Sequence, residues 1–181
     1  NNGNHLSDMY FCEFDGGGDF YPEMYYGRFS ASSPADVEAQ VYKTLTHEQY
    51  TFSDPSFLDE VVLVAGVDAS MAPTYGNGQI NYGTDHYFNT AHGLTIYNYL
   101  YGTLAQGSSI SSDMTSASAA IISDVSEGVG FANYTAHCGS NGWSDPSFST
   151  SDVSGLQNND EYGFMVGNCC QSNKFDVPVC F

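Results

Sequence analysis

The chain has 181 residues, 41% of them apolar and 15% aromatic, enough for one substantial core and, by default, one domain. Its 21 acidic residues stand against Arg28, Lys43 and Lys174, a formal net charge of −18, which argues against nucleic acid as a partner because phosphate binding needs clustered Lys and Arg. No apolar stretch reaches the length of a membrane span, and the opening NNGNHLSDMY has neither the basic nor the apolar region of a signal peptide, so a leader has been removed or the chain is an internal piece.

Taken in order, the chain opens on an aromatic, Gly-rich segment with Asp15, Asp19 and Glu23 around a GGG turn, and MYYGRFSA (24–31) reads as a strand. Ser33, Pro34 and Asp36 mark a helix start: a hydroxyl cap, a proline in the first turn and an acid at the positive end of the dipole. That helix is expected to run to about His47 and to bury Val37, Val41 and Leu45. After a turn at Ser53-Asp54-Pro55 come a strand at 61–68, a Gly/Asn/Pro-rich loop at 69–79, a helix near 80–91 and a strand at 94–102. A Ser-rich stretch, 108–127, reads as a loop that turns helical from Ala119 to Val125; a strand at 128–137, a short helix near 151–158 and a strand at 162–169 complete the order. Alternating strand and helix imply an α/β fold: a mainly parallel sheet with right-handed crossovers and helices on both faces.

Three apolar runs stop at a reactive side chain: VVLVAGVD at Asp68, GFANYTAH at His137 and YGFMVGNCC at Cys170. Rich in Val, Phe and Ala and bounded by Gly, they read as strands buried on both faces, and parallel sheets carry their chemistry at the carboxyl ends of such strands. A cysteine attacks only as thiolate, and a neighbouring imidazole lowers its pKa and later supplies a proton to the leaving group. His137 and Cys170 suit that pairing, with Asp68 as the orienting acid. Buried cysteine is also a small core hydrophobe, and a lone histidine is often structural. The five cysteines (Cys12, Cys138, Cys169, Cys170, Cys180) cannot all pair within one chain, and the neighbours Cys169 and Cys170 are poor partners for each other. A zinc site from His137, Cys138, Cys169 and Cys170 has suitable ligand types but no CxxC spacing. Asn133 heads an Asn-Tyr-Thr glycosylation pattern inside an expected buried strand, which disfavours modification, while His86 and His92 read as surface or capping residues near a helix end.

ANYTAH at 132–137 with Gly139 and Trp143, GNCC at 167–170, Phe175-Asp176 and Pro178-Val179-Cys180-Phe181 resemble the gingipain family of secreted bacterial cysteine peptidases, the lysine-specific branch above all. YPEMYYGRFSASSP (21–34) and LDEVVLVAGVD (58–68) resemble the corresponding upstream segments in the same order. The resemblance implies a caspase-like fold and an endopeptidase that cleaves proteins or peptides after a basic residue, lysine ahead of arginine. It implies His137 as the imidazole, Cys170 as the nucleophile, Asp68 as the third acid and Cys169 as a packing residue. Backbone N–H groups of Cys138, Gly139 and Cys170 would form the oxyanion hole. No cofactor is implied for catalysis, and the implied setting is the secreted or cell-surface fraction of a bacterium.

Three departures qualify this. Gingipains have glycine directly after the catalytic histidine, where this chain has Cys138, with Gly139 one step later. A cysteine there must avoid the angles glycine reaches or accept strain, and it puts a second thiol within possible bonding reach of Cys170. In length, residues 1–181 correspond to part of a gingipain catalytic domain. The lysine-specific acid comes from a downstream part, and the arginine-specific branch has its acid where this chain has Gln79, so a second chain is one way to complete the domain. Third, Asp15, Asp19, the Tyr21 carbonyl and Glu23 resemble a structural calcium site, but with GGG between the aspartates where the family has a shorter link. The competing class is an inactive relative that keeps the scaffold as a binding or assembly module.

Overall fold

The computed structural model describes residues 6–16, 21–102 and 110–181, which form two compact units, Asn1–Leu45 and Thr46–Phe181. In the first unit the anticipated cap is present. The Ser33 hydroxyl accepts from the Asp36 N–H at 3.3 Å, and Asp36 Oδ2 accepts in return from the N–H groups of Ser32 and Ser33, both at 2.9 Å. These bonds, the Ser32 N–H first, hold the Asp36 carboxyl below its ordinary range. Helix α1 (Pro34–Gln49) follows and crosses from the first unit into the second.

Two expectations fail in this unit. Residues 24–31 form no strand, because a strand needs a partner for its backbone and none of the described strands pairs with this segment. Without a sheet face there to cover, the α1 stripe is not buried: Val37, Val41 and Leu45 are exposed at 42, 39 and 44%.

The second unit is built on four parallel strands in the order β2-β1-β3-β7: β1 (Glu60–Ala65), β2 (Thr95–Tyr99), β3 (Phe131–Thr135) and β7 (Phe164–Asn168). The runs of Val, Ile, Phe and Ala put these strands where sequence analysis expects them. Val61 to Ala65 are all buried, so both faces of β1 are covered; each of the Val and Leu side chains is worth about 1.5–3 kcal/mol over its exposed state. Register sorts the faces. Leu63 and Phe131 share one face and pack with Ile80 of α2 (Asn77–His86). Val62, Val64, Tyr97, Tyr99, Ala132 and Tyr134 share the other, where Tyr99 donates at 2.5 Å to Asp124 of α3 (Met114–Glu127).

α3 begins five residues earlier than expected. Asp113 caps it, accepting from the Ser116 N–H at 2.9 Å, and Ala117, Ile121 and Val125 recur at helical spacing on its buried side, so the Ser-rich stretch is helical from Met114 onward. α2 begins at Asn77 and stops at His86, several residues before the expected end, and a π-helical turn, Ala72–Gly76, leads into it. Strand β7 also departs from expectation. Among the described residues it has only β3 beside it, and Phe164 and Met165 are exposed, whereas the sequence predicts a strand buried on both faces.

Between β3 and β7 the chain forms a second sheet unforeseen from sequence: the antiparallel β4 (Cys138–Gly139), β5 (Gly142–Ser144) and β6 (Ser147–Ser149), followed by the single turn α4 (Thr150–Val153). Aromatic packing fixes it to the main sheet. Trp143 stacks on Tyr134 with centroids 4.5 Å apart and meets Phe148 and Phe181 edge-on. Asn133 is buried in β3, in line with the expectation that it is a poor acceptor for modification.

Candidate active site

The last rung of the parallel ladder is Ala65, Thr135 and Asn168 on β1, β3 and β7. Asp68 follows that rung by three residues, and His137 and Cys170 each follow it by two, so all three leave the sheet at the same edge. Gly66 lets the exits of β1 and β3 approach closely, since a Cβ there would lie 2.4 Å from Ala136 Cβ.

Asp68 opens a tight turn. Its Oδ1 accepts from the Ser70 hydroxyl at 2.6 Å and the Ser70 N–H at 2.8 Å, and its carbonyl accepts from the N–H groups of Met71 and Ala72. The Ser70 hydroxyl above all, then the Ser70 N–H and His137, hold the Asp68 carboxyl down at about 2. An ionised carboxylate only accepts, so the 3.3 Å contact between Oδ2 and His137 Nε2 places the proton on Nε2 and leaves Nδ1 as the basic nitrogen.

The His137 backbone is locked from beneath. Its carbonyl accepts from the Tyr134 hydroxyl at 2.5 Å and from the Ser144 N–H at 3.0 Å, and the same hydroxyl accepts from the Asp145 N–H at 3.2 Å. Tyr134 is fully buried, and burial pushes its hydroxyl up to about 12. The His137 ring projects outward, with its side chain 63% exposed.

Cys170 is an exposed, free thiol that makes no hydrogen bond to His137 among the described residues. Gln171 directly after it has φ 62°, a left-handed conformation that costs a non-glycine residue about 1–2 kcal/mol, so the turn carrying the thiol is strained. Cys138 does not share that strain: it pairs with Trp143 in β4 and lies outside the left-handed region.

The cysteine pairing differs from both sequence-based expectations. Cys138 is bonded to Cys169, with Cα atoms 5.6 Å apart, so Cys169 is more than a packing residue and Cys138 does not take Cys170 as partner. Two of the four groups of the zinc alternative are consumed by that bond. The pairing escapes sequence reading because it follows from the register of β3 with β7, which no local pattern announces.

A cavity of about 170 Å³ adjoins the pair, with Asp68 and His137 in its wall beside Met71, Tyr75, Ala136 and Asn168. The larger cavity, about 650 Å³, is lined by Trp143, Phe164, Met165 and Phe181 and includes neither Asp68 nor His137, so the smaller one is where those two side chains face; Cys170 lines neither. The Gln79 side-chain oxygen accepts from the hydroxyl of Thr135, a residue of the cavity wall, at 2.7 Å. Of the residues expected to hold calcium, Asp15, Tyr21 and Glu23 belong to the first unit, where Glu23 accepts from the Phe14 N–H at 2.6 Å; Asp19 lies outside the described residues. His86 sits in the last turn of α2, and the His92 ring contacts Asn89 at 2.9 Å.

Residues 2–181 match the model of peptidase family C25. Lys-gingipain W83 of Porphyromonas gingivalis is 39% identical over 178 residues, covering 97% of this chain and 9% of the relative. A solved structure described as "Structure of Protease" superposes with a TM-score of 0.84 at 38% identity, covering 98% of this chain and 36% of that one. The crystal structure of the Arg-specific cysteine proteinase gingipain R superposes with a TM-score of 0.75 at 24% identity, over 98% of this chain and 39% of that one. The architecture is therefore the caspase-like α/β fold. The chain spans about a tenth of the curated relative and little more than a third of the solved chains.

Proposed function

We propose that this chain, which belongs to peptidase family C25, carries the catalytic residues of a cysteine endopeptidase that cleaves proteins or peptides after a basic residue. The observation that carries this reading is the Asp68–His137 hydrogen bond at the sheet edge from which Cys170 also emerges. His137 Nδ1 takes the proton of the Cys170 thiol, and the thiolate attacks the scissile carbonyl carbon. The imidazolium returns the proton to the leaving amine. Water, deprotonated by the same nitrogen, then hydrolyses the thioester. Asp68, ionised down to pH about 2, keeps Nε2 protonated and steadies the ring throughout. Backbone N–H groups of Cys138, Gly139 and Cys170 receive the oxyanion.

Lysine is the preferred residue before the cut, a choice supported by the higher identity to Lys-gingipain than to the Arg-specific enzyme. The acid that selects it comes from polypeptide beyond these 181 residues, as part of the same chain or of a second one, in keeping with the share of the solved relatives that this chain covers. A structural calcium ion on Asp15, Asp19, the Tyr21 carbonyl and Glu23 belongs to the same reading; it would tie the loop as a fold element, and calorimetric titration with Ca²⁺ tests it. Secretion or display at a bacterial surface is proposed from the family. Among the described residues no helix is long and apolar enough to cross a membrane.

The test is incubation with a lysyl chloromethyl ketone followed by peptide mass spectrometry. The expected result is a thioether on Cys170 in the intact protein and none in the His137→Ala variant. A completed sample with Cys170 as the free thiol that acquires no adduct overturns the reading and favours the inactive assembly module.

A further inference from the structure

Beyond the catalytic pair, the molecule holds a covalent bond that the proposed reaction does not use. We propose that the Cys138–Cys169 disulfide is a positioning element, a tie between two strand exits that sets the separation of the His137 imidazole and the Cys170 thiol. The inference rests on the reading of those two residues as the catalytic pair.

Placement is the first argument. Cys138 directly follows His137 and Cys169 directly precedes Cys170, so the bond joins the two catalytic residues through one peptide link on each side. The second argument is what backbone pairing leaves undone. The β3–β7 ladder ends at Thr135–Asn168, and the disulfide reconnects the two segments just beyond that rung.

The two ends of the tie are unequally held. Cys138 is anchored: it pairs with Trp143, which is buried against Tyr134 and Phe148, and the carbonyl before it accepts two hydrogen bonds. Cys169 leaves a strand that, among the described residues, pairs with β3 alone and whose Phe164 and Met165 are exposed. It also precedes the strained turn at Gln171. The bond therefore transmits the rigidity of the β4–β6 sheet to the thiol-bearing turn, and the Cys138 sulfur packs directly on the Cys170 carbonyl oxygen. The Cys138 end of the tether is achieved without left-handed backbone.

The consequence is a pair of opposite redox requirements. Cys170 works only as a free thiol, whereas the tie works only when oxidised. A reductant too mild to open the tie leaves activity unchanged, because Cys170 is already a free thiol; a phosphine strong enough to open Cys138–Cys169, taking up oxygen from water as both sulfurs leave as thiols, lowers it.

The experiment compares the intact protein with Cys138→Ala/Cys169→Ala and with His137→Ala. An unreduced peptide map of the intact protein should show Cys138 joined to Cys169 and Cys170 alkylated; a map lacking the cross-link overturns the proposal. The main readout is the rate of Cys170 alkylation by iodoacetamide at mildly acidic and at alkaline pH, because a thiol paired with an imidazole keeps its reactivity in acid and an unassisted thiol loses it. Losing the tie should slow the reaction about tenfold at about pH 6 and leave it within about twofold at about pH 9. A double variant with the rates of the intact protein at both values reduces the bond to a structural role and overturns the proposal. His137→Ala separates the two readings: if it does not alter the acid-side rate, the catalytic pair itself fails, whatever the tie does. If circular dichroism shows the double variant unfolded, phosphine titration of the intact protein replaces it. The acid-side rate should then fall in step with the opened bond measured by mass, and a rate that stays constant as the bond opens overturns the proposal.

Discussion

Replacing Gly66 by alanine tests how closely the site's two strand exits approach. The added Cβ would lie 2.4 Å from Ala136 Cβ and 3.4 Å from Ala136 Cα. Saturated carbons settle at about 3.5–4.0 Å, so the contact is short by about 1.1–1.6 Å. Neither methyl has a rotamer to change, and relief comes only from parting the exits of β1 and β3. The Asp68–His137 hydrogen bond, already 3.3 Å long, spans those same exits; with a usable limit near 3.5 Å it tolerates about 0.2 Å of further separation. The expected outcome is a loss of about 1–3 kcal/mol in urea unfolding from overpacking. The same variant should lose about 10²-fold in kcat/KM on a lysyl peptide, the scale of an ångström misplacement in a catalytic group. Gly78→Ala is the control. It lies in α2 with nothing within 4 Å of the added atom, and should be neutral or gain up to about 1 kcal/mol. A Gly66→Ala protein as stable and as active as the parent would refute the close approach and, with it, the account of how Asp68 reaches His137.

Tyr134→Phe removes the hydroxyl that bridges the His137 carbonyl and the Asp145 N–H. The carbonyl keeps Ser144 but the N–H loses this partner, so unfolding should show a loss of about 1–3 kcal/mol and peptide hydrolysis should slow; unchanged stability would refute the bridge. For Asp68 the folded carboxyl is depressed to about 2 from 3.8. Its bonds to Ser70 and His137 therefore stabilise the fold above the ordinary carboxylate range and are lost as pH falls through about 2. Carbon NMR of the Asp68 carboxyl should titrate there, and Ser70→Ala should move the midpoint toward 3.8; a midpoint that ignores Ser70 would refute the assignment of cause.

What could be read in the sequence is what burial makes periodic or continuous. The runs ending at Asp68 and His137 are legible because β1 and β3 lie inside the sheet, where Val61–Ala65 and Ala132–Tyr134 have neighbours all round. The run ending at Cys170 has similar composition, yet β7 is an edge strand, and composition does not report which strand lies outermost. MYYGRFSA has strand-like residues and no strand, since propensity cannot supply a pairing partner. Strands of two and three residues, as in β4 to β6, are too short to carry a period; Trp143, Tyr134 and Phe148 define that sheet by contact. The helical start at Met114 was masked by serines on its outward side, although Asp113 and the spacing of Ala117, Ile121 and Val125 contained the signal.

The order of strands in the sheet has a consequence for proton traffic. Neighbouring strands lie about 4.8 Å apart, and β3 stands between β1 and β7, so the backbones of β1 and β7 are about two spacings, or roughly 10 Å, from each other. In the proposed reaction the ring, carried by the strand between them, is the middle station of a linear relay from sulfur to carboxylate. Strand order thus agrees with the direction of hand-off that the proposed reaction needs.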